Sequence, residues 1–270
     1  MAILIIFVCI KQVPGITEVR IDPKTNTLIR EGIPSIMNPM DKNGVELALE
    51  IKEKHGGEII ALSMGPPQAE EVLREALAMG ANKAYLLTDR VFAGADTLAT
   101  SHTLALSIKK IIKESNEKKY IVICGTQAID GDTAQVGPEL AEELGIPQIT
   151  YVQKFEMSGD KIKVERVFRT EEVVIIEANL PALISVLKEI NTPKHPTMAG
   201  IVDAYDKKEV IHLDAKAVNA DKSKIGLTGS QTEVWKIFVP ERKGEHIKLS
   251  GTIEEISNEL CQKLKEDKIF

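Results

Sequence analysis

The chain has 270 residues, of which 43% are hydrophobic, so it is long enough to bury a substantial core. Its 34 Lys and Arg against 40 Asp and Glu give a formal net charge of -6. This charge offers no general attraction to nucleic acid or to an anionic membrane surface. The apolar opening, residues 2–10, is too short to span a membrane and lacks a basic leader. It predicts a buried first strand.

The three cysteines, Cys9, Cys124 and Cys261, lie far apart and show no CxxC spacing. The histidines are scattered as well, so the pattern argues against a zinc site and against a disulfide framework. We therefore expect a chain without bound metal that works in reducing cytoplasm.

Short apolar segments alternate with segments of helical period in the first half of the chain. The predicted strands are residues 3–10, 58–64, 83–87 and 120–124, and the predicted helices are residues 41–54, 69–79, 97–113 and 135–144. This alternation predicts an α/β fold in which helices cover both faces of a parallel sheet.

Beyond residue 148 the pattern changes to short strands. They are predicted at residues 148–155, 161–168, 173–177 and 182–186, with a turn at Ser158, Gly159 and Asp160 between the first two. We interpret this region as an added antiparallel portion. Residues 191–200 contain Pro193 and Pro196 and predict a loop.

The last part of the chain is polar from about residue 225. It predicts a strand at residues 234–239, a basic turn at 241–244 and an amphipathic helix at 252–265, which is too little to form a core of its own. Such an arm would dock its apolar residues on another subunit or on its own domain, and the pattern leaves both open. These residues are Trp235, Ile237, Phe238 and Ile256.

Three loops follow predicted strands and are expected on one rim of the sheet, at residues 11–14, 64–67 and 125–138, where open α/β sheets bind ligands. The third, GTQAIDGDTAQVGP, precedes a helix whose free N–H groups suit phosphate oxygens. Asp130 and Asp132 would repel a bare phosphate and suit helix caps or ribose hydroxyls better. The spacing matches neither dinucleotide nor Walker signatures, so a capped turn accounts for the loop equally well.

Two further loops precede predicted helices. The segment at residues 89–97 offers Asp96 or Thr97 as the N-cap, and residues 38–41 offer Pro39 as a breaker and Asp41 as a cap. Capping alone explains both, although the first could also form a lid over a flat ring. No Ser/His/Asp or Cys/His arrangement stands out, which favours binding, with chemistry supplied by a cofactor.

Five segments in order resemble the electron-transfer flavoprotein β subunit family along nearly the whole chain. They are VCIKQVPG, IPSIMNPMD, ALSMGPPQAEEVLREALAMGANKAYLLTD, GTQAIDGDTAQVGPELAEELGIPQ and LPALISVLKEINTPKHPTMAGI. The resemblance implies an adenine-nucleotide-hydrolase-like, Rossmann-like α/β domain over residues 1–224, and an arm at 225–270 that docks on an α subunit carrying its own FAD.

The resemblance also implies which residues lie against the nucleotide. They are Cys9, Lys11, Asn38, Asp41, Met64, Gly125, Gln127, Asp130, Gly131, Asp132, Thr133, Ala134, Gln135 and Val136. The occupant is AMP in members that only transfer electrons and FAD in electron-bifurcating members. The segment TDRVFAGADTLATS resembles the bifurcating group, which implies that Asp96 and Thr97 contact the flavin side. Thr126 departs from the basic residue that is common in relatives.

In a bifurcating member, NADH would reduce this FAD. One electron would pass to ferredoxin or flavodoxin, and the other through the α-subunit FAD to a flavin dehydrogenase of the acyl-CoA or lactate type, as in anaerobic metabolism. Residues 191–201 correspond to the loop that docks on the dehydrogenase. The docking residues would be Lys194, His195, Pro196, Thr197 and Met198, with the soft Met198 near the anchor position. The alternatives are a subunit that holds AMP without bifurcation and a stand-alone ATP-binding regulatory domain.

Overall fold

The computed structural model describes residues 3–15, 20–21, 28–29, 34–169, 172–235 and 247–269. The chain divides into two compact units, Met1–Glu233 and Val234–Phe270. Within the described residues, nine strands of the first unit form one sheet. The first unit therefore carries the core of the fold.

The strands are β1 (Ile5–Cys9), β2 (Gln12–Pro14), β3 (Arg20–Ile21), β4 (Leu28–Ile29), β5 (Ser35–Met37), β6 (Glu58–Met64), β7 (Lys83–Leu87), β8 (Tyr120–Gly125), β9 (Gln148–Ser158), β10 (Lys161–Arg169), β11 (Glu172–Asn179), β12 (Ala182–Val186) and β13 (Val210–Leu213). The helices are α1 (Pro39–His55), α2 (Glu70–Met79), α3 (Thr97–Ser115), α4 (Val136–Leu144), α5 (Met198–Asp206), α6 (Gly226–Gly229) and α7 (Ile253–Glu266).

The large sheet has the strand order β11-β10-β9-β12-β8-β1-β6-β7-β13. In this order, every pair of neighbouring strands from β9 to β13 is parallel. At the other end of the sheet, β10 pairs antiparallel with both β9 and β11. The chain builds outwards from β1 to β6 and β7 and then returns to place β8 on the other side of β1. The strand order therefore reverses between β1 and β8.

Alternation along β1 explains the two-sided core. Ile6 and Val8 pack with the residues of α1 and α2, whereas Ile5 and Phe7 pack with those of α3 and α4. Successive side chains of a strand point to opposite faces, so a strand that is buried on both faces must be apolar throughout. The sheet is consequently covered by helices on both sides, and the predicted α/β fold is confirmed.

The predicted strands and helices of residues 3–144 are present with small shifts at their ends. One assignment was wrong, because residues 182–186 do not belong to the antiparallel portion. They form β12, which inserts between β9 and β8 and is parallel to both. Its sequence ALISV is buried at every position, which is the pattern of a central parallel strand.

Seven of these strands and helices were not predicted: β2, β3, β4 and β5 near the start of the chain, and α5, β13 and α6 after residue 197. α5 begins at Met198, inside the segment that was interpreted as a loop, and β13 and α6 follow it. Thr197 caps α5 by accepting the backbone N–H of Gly200 at 3.0 Å. These elements are short, and α6 spans only four residues, so they carry little periodic signal.

The second unit is thin. Its helix α7 starts with a capping box in which Thr252 and Glu255 satisfy each other's backbone N–H groups. Its described side chains include no buried residue, and Ile253 is 87% exposed. Of the predicted strand at 234–239, Val234 and Trp235 are exposed and outside any strand, while Ile237 and Phe238 lie outside the described residues. Docking of this arm on another subunit stays a prediction.

No helix in the described ranges is both long and apolar enough to cross a bilayer. The cytoplasmic location expected from the cysteine pattern stays a prediction.

Candidate functional site

A cavity of about 320 Å³ lies at the carboxyl ends of β1, β6 and β8. It includes the point between β1 and β8 where the strand order reverses, which is where open α/β sheets bind ligands. The helices α3 and α4 both begin at its rim. Its volume is at the lower end of the range of small-molecule sites.

Asp41 organises the floor of this cavity from the first turn of α1. Its Oδ2 accepts the backbone N–H of Lys11 at 2.8 Å, and its Oδ1 accepts the backbone N–H of Gly125 at 3.1 Å. Burial raises the pKa of Asp41 to about 7, although these hydrogen bonds act in the opposite direction. Asp41 is not the helix cap that the sequence predicted, because the N-cap position belongs to Asn38 and Pro39 opens the helix.

Asn38 is fully buried and holds the loop after β8 in place. Its Nδ2 donates to the carbonyl of Gln127 at 2.9 Å, and its Oδ1 accepts the backbone N–H of Ile129 at 3.2 Å. The side chain does not line the cavity. Asn38 therefore acts through the loop that it positions.

The end of β8 approaches α1 more closely than a side chain would allow. A Cβ on Gly125 would overlap Oδ1 of Asp41 and lie 2.9 Å from its backbone nitrogen. Further along, Asp132 and Ala134 adopt the left-handed region with φ of 56° and 54°, which is unfavourable for residues with a Cβ. Strained backbone of this kind concentrates at ligand sites.

Two helix N-termini meet at the cavity. The hydroxyl of Thr97, at the start of α3, lies 3.2 Å from Oε1 of Gln135 and 3.1 Å from Oε1 of Glu139, at the start of α4. The first-turn N–H groups of a helix have no partner within the helix, and its dipole is positive at this end. The two starts together make a place that favours the oxygens of an anion such as a phosphate.

Asp96 caps α3 and also holds the chain segment that leads to the second unit. Its Oδ1 accepts the backbone N–H of Ala99 at 3.0 Å. Its Oδ2 accepts the backbone N–H groups of Gln231 and Thr232 and the Thr232 hydroxyl, at 2.8, 3.0 and 3.0 Å. Partial burial opposes ionisation, but these donors outweigh it and hold the pKa of Asp96 below its ordinary value. The predicted capping role is confirmed, and the flavin contact stays a prediction.

Lys11 reaches the rim and pairs with Asp130. Its Nζ lies 2.8 Å from both carboxylate oxygens, and the two side chains are 49% and 33% exposed. Asp130 itself does not line the cavity. An exposed pair of this kind is worth at most about 1 kcal/mol, so a phosphate could take Lys11 from Asp130 at little cost.

The cavity brings together fourteen of the sixteen residues that the sequence singled out, and Asn38 and Asp130 are the two outside its wall. The residues that line it are Cys9, Lys11, Asp41, Met64, Asp96, Thr97, Gly125, Gln127, Gly131, Asp132, Thr133, Ala134, Gln135 and Val136. Their role in binding a cofactor stays a prediction.

Eight further residues line the cavity. They are Ile10, Ala95, Thr100, Leu104, Cys124, Thr126, Ala128 and Gly137. Thr126, Ala128 and Gly137 belong to the predicted rim loop at residues 125–138, and the others were not singled out as cofactor contacts. Spacing could have found two of them, because Thr100 and Leu104 follow Thr97 by three and seven residues and therefore share its helix face. The hydroxyl of Thr126 donates to the carbonyl of Val186 at 2.9 Å.

The predicted docking residues form a separate feature beside α1. The backbone N–H of Lys194 donates to Oε2 of the buried Glu46 at 3.0 Å, and Met198 is 78% exposed. His195 is also exposed, and Pro196 is half-buried. A buried carboxylate thus holds the loop while the soft side chain of Met198 projects outwards, and contact with a dehydrogenase stays a prediction.

Among the residues that the structure describes, no three or more His, Cys, Asp or Glu side chains cluster in a way that could hold a metal ion. The cavity instead offers backbone N–H groups, one lysine, three aspartates and the side chains of Cys9 and Met64.

An open parallel sheet with a cavity between two helix N-termini at its switch point defines a ligand-binding α/β subunit. The model of the electron transfer flavoprotein domain matches residues 25–233. The electron transfer flavoprotein subunit beta of Thermoanaerobacterium thermosaccharolyticum is 54% identical over 261 residues, which cover 96% of this chain and 97% of the relative.

Two other relatives carry names of larger complexes. The caffeyl-CoA reductase-Etf complex subunit CarD of Acetobacterium woodii is 47% identical, and the acryloyl-CoA reductase electron transfer subunit gamma of Anaerotignum propionicum is 40% identical. Each comparison covers 98% of this chain and 99% of the relative. The chain belongs to the electron-transfer flavoprotein family, as a β subunit. The family expected from the sequence is confirmed, and it replaces the alternative of a stand-alone ATP-binding domain.

Proposed function

We propose that this β subunit pairs with an electron-transfer flavoprotein α subunit and holds FAD in the cavity. Bound there, FAD would supply the redox chemistry, with NADH as the hydride donor. The electron acceptors would be ferredoxin or flavodoxin and, through the α-subunit FAD, a flavin dehydrogenase of the acyl-CoA or lactate type. The name of the Acetobacterium woodii relative, a subunit of a caffeyl-CoA reductase-Etf complex, supports this placement.

The residues present fit a nucleotide. The starts of α3 and α4 offer amide N–H groups, and Lys11 adds a positive charge for phosphate oxygens. On the other side, Cys9 and Met64 form an apolar floor that suits an adenine ring. Gly131 lines the cavity, and a Cβ added to it would meet nothing within 4 Å.

The observation that carries the FAD proposal is the second wall of the cavity. AMP would occupy the floor at Cys9 and Met64 and the wall formed by residues 125–137. Ala95, Asp96, Thr97 and Thr100 form a second wall at the start of α3. A longer dinucleotide reaches both walls. The protein then positions the cofactor with backbone amides and hydroxyls, while the flavin supplies the redox chemistry.

A second candidate function is a non-bifurcating subunit that holds AMP as a structural ligand. The observation that favours it is the volume of about 320 Å³, at the lower end of the range for small-molecule sites. An adenine nucleotide fills such a space, whereas the flavin end of FAD would extend beyond it.

The test is cofactor analysis of the chain purified with its α subunit. We expect two flavins and no AMP for each heterodimer after denaturation, together with NADH-dependent reduction of ferredoxin. One flavin, one AMP and no oxidation of NADH would overturn the proposal in favour of the AMP-holding subunit.

A paired variant isolates the second wall. Thr97→Ala with Thr100→Ala should weaken FAD binding to this subunit by about tenfold, which corresponds to the loss of one net hydrogen bond of about 1.4 kcal/mol. AMP affinity should be unchanged. Leu98→Ala is the control, because Leu98 lies on the same helix but is not part of the cavity wall. Equal losses for AMP and FAD would contradict a separate flavin-side wall.

A further inference from the structure

Two thiols lie side by side on the floor of the cavity. Cys9 ends β1, and Cys124 is its register partner on the parallel neighbour β8. Both line the cavity, and only 8% and 6% of their surfaces are exposed. The two residues face each other across neighbouring strands. Both are free, as is the third cysteine, Cys261, which lies exposed on α7.

Their arrangement follows from the sheet. Register partners on parallel strands project to the same face, and both cysteines belong to the core on the side of α3 and α4. Their outer ends meet the cavity at the point where the strand order reverses. A reagent that enters the cavity therefore meets both sulfurs at once.

This geometry is poor for a disulfide. A disulfide holds its two Cβ atoms about 3.8 Å apart, whereas neighbouring strands lie about 4.8 Å apart. Closing the bond would draw two central strands together by roughly 1 Å, in a region that is packed on both faces. A single atom bonded to both sulfurs spans the strand spacing without this contraction.

The electrostatics favour a particular kind of bridging atom. The hydrogen bond with Cys9, burial and the nearby charge of Asp41 all raise the pKa of the Cys124 thiol. A metal ion that needs two thiolates is disfavoured here, and the described residues offer no set of three ligating side chains. A reaction that consumes neutral thiols and leaves no buried charge is favoured instead.

Trivalent arsenic reacts in this way. An organic arsenical of the form RAs(OH)2 condenses with two thiols: two As–S bonds form, two As–O bonds break, and each thiol proton leaves with a hydroxyl group as water. No atom changes its oxidation state, so no oxidant is needed. We propose that Cys9 and Cys124 form a dithiol site for trivalent arsenicals on the cavity floor, and that arsenical and nucleotide exclude each other. The exclusion rests on the proposed function, whereas the dithiol site does not.

The test uses phenylarsine oxide on the full chain with its α subunit, after the nucleotide in this cavity has been removed, in a Cys261→Ser background. We expect one phenylarsenic adduct on this chain that survives excess 2-mercaptoethanol and is removed by dithiothreitol, because only a dithiol competes with a bidentate complex. Peptide mapping of the adduct should link the segments that contain Cys9 and Cys124. An adduct that the monothiol removes, or that maps elsewhere on this chain, would overturn the site.

Single-cysteine variants give the matched control. Cys9→Ala and Cys124→Ala should each retain only labelling that 2-mercaptoethanol reverses, and thermal unfolding of each variant shows whether it is folded. Peptide mapping of the parent chain decides the question even when a variant does not fold. Bidentate labelling that persists in either folded variant would overturn the proposal.

Nucleotide protection tests the exclusion separately. With AMP or FAD at about 100 times its Kd, about 1% of the sites are empty, so labelling should slow about 100-fold. Bidentate labelling at an unchanged rate would overturn the exclusion and the proposed position of the nucleotide, while the dithiol site would stand. Nucleotide binding without bidentate labelling would overturn the dithiol site and leave the proposed function standing.

Discussion

Two aspartates border the same cavity, yet their surroundings shift their pKa values in opposite directions. Asp41 lies on the floor, and burial raises its pKa to about 7. Asp96 lies on the rim, where hydrogen bonds from the backbone and from Thr232 outweigh partial burial and hold its pKa below the ordinary value. Both carboxylates accept backbone N–H groups, so hydrogen bonding alone does not separate them.

The difference between them is access to water. Asp41 is only 6% exposed. Its carboxylate has lost its hydration, and the two N–H groups that it accepts do not compensate for that loss. Asp96 keeps part of its hydration and gains four donors. Asp41 therefore links the segments at Lys11 and Gly125, whereas Asp96 links the cavity to the segment at Gln231 and Thr232.

The largest expected effect concerns the pH dependence of stability at Asp41. The unfolded chain ionises this carboxyl above its ordinary value of 3.8, and the folded chain only near 7. The stabilisation from Asp41 is therefore complete below pH 3.8 and is lost as the pH rises through 7. The shift corresponds to roughly 4 kcal/mol.

Urea unfolding of the parent chain and of Asp41→Asn between pH 4 and 7 measures this loss. The difference in unfolding free energy, parent minus variant, should fall as the pH rises. The same difference for Asp96→Asn should stay flat in this range, because its pKa is lowered and its stabilisation is lost only as the pH falls below 3.8. Parallel curves for both aspartates would contradict the contrast between floor and rim.

The next effect tests the close approach at the floor. Gly125→Ala should destabilise the fold by about 1–3 kcal/mol, because the new Cβ meets Asp41 and the backbone around it. Gly131→Ala, in the loop that follows β8, is the control. Its Cβ would meet nothing within 4 Å, so we expect a change below about 0.5 kcal/mol. Thermal and urea unfolding check both, and equal losses would mean that the floor is not tightly packed.

At the rim, Asp96→Asn should loosen the segment at Gln231 and Thr232. Asn can still cap α3 through its amide oxygen. Its NH2 group, however, would replace the carboxylate oxygen that accepts three hydrogen bonds from Gln231 and Thr232. A loss of about 1.4 kcal/mol corresponds to tenfold faster hydrogen exchange at these two amides. Asp221→Asn is the control, because among the described residues its carboxylate bonds only to Ser223. Unchanged exchange in Asp96→Asn would contradict the tie between cavity and chain.

The smallest effect is expected at the exposed ion pair. Asp130→Asn removes the partner of Lys11 and should change the unfolding free energy by less than about 1 kcal/mol. A larger loss in urea unfolding would show that Lys11 is held in place and is not available to a phosphate.

Much of the fold could be predicted because local patterns record it. The apolar strand IIFVC and the helix that begins at Pro39 are legible within a few residues. The shorter elements β13 and α6 were missed because four residues are too few to show a periodic pattern. β12 was read correctly as a strand but with the wrong neighbours, since a strand's partners lie far away in sequence.

The candidate site divides in the same way. The sequence by itself determined that loops after three strands share a rim, and the family resemblance picked out most of the residues in them. Only the tertiary structure decided what each residue does. Asp41 binds the backbone of Lys11 and of Gly125, the latter 84 residues from Asp41, and Asp96 holds Thr232. It also placed Cys124 beside Cys9. The physical reason is that periodicity is a local property of the chain, whereas burial, hydrogen-bond partners and pKa depend on residues that only folding brings together.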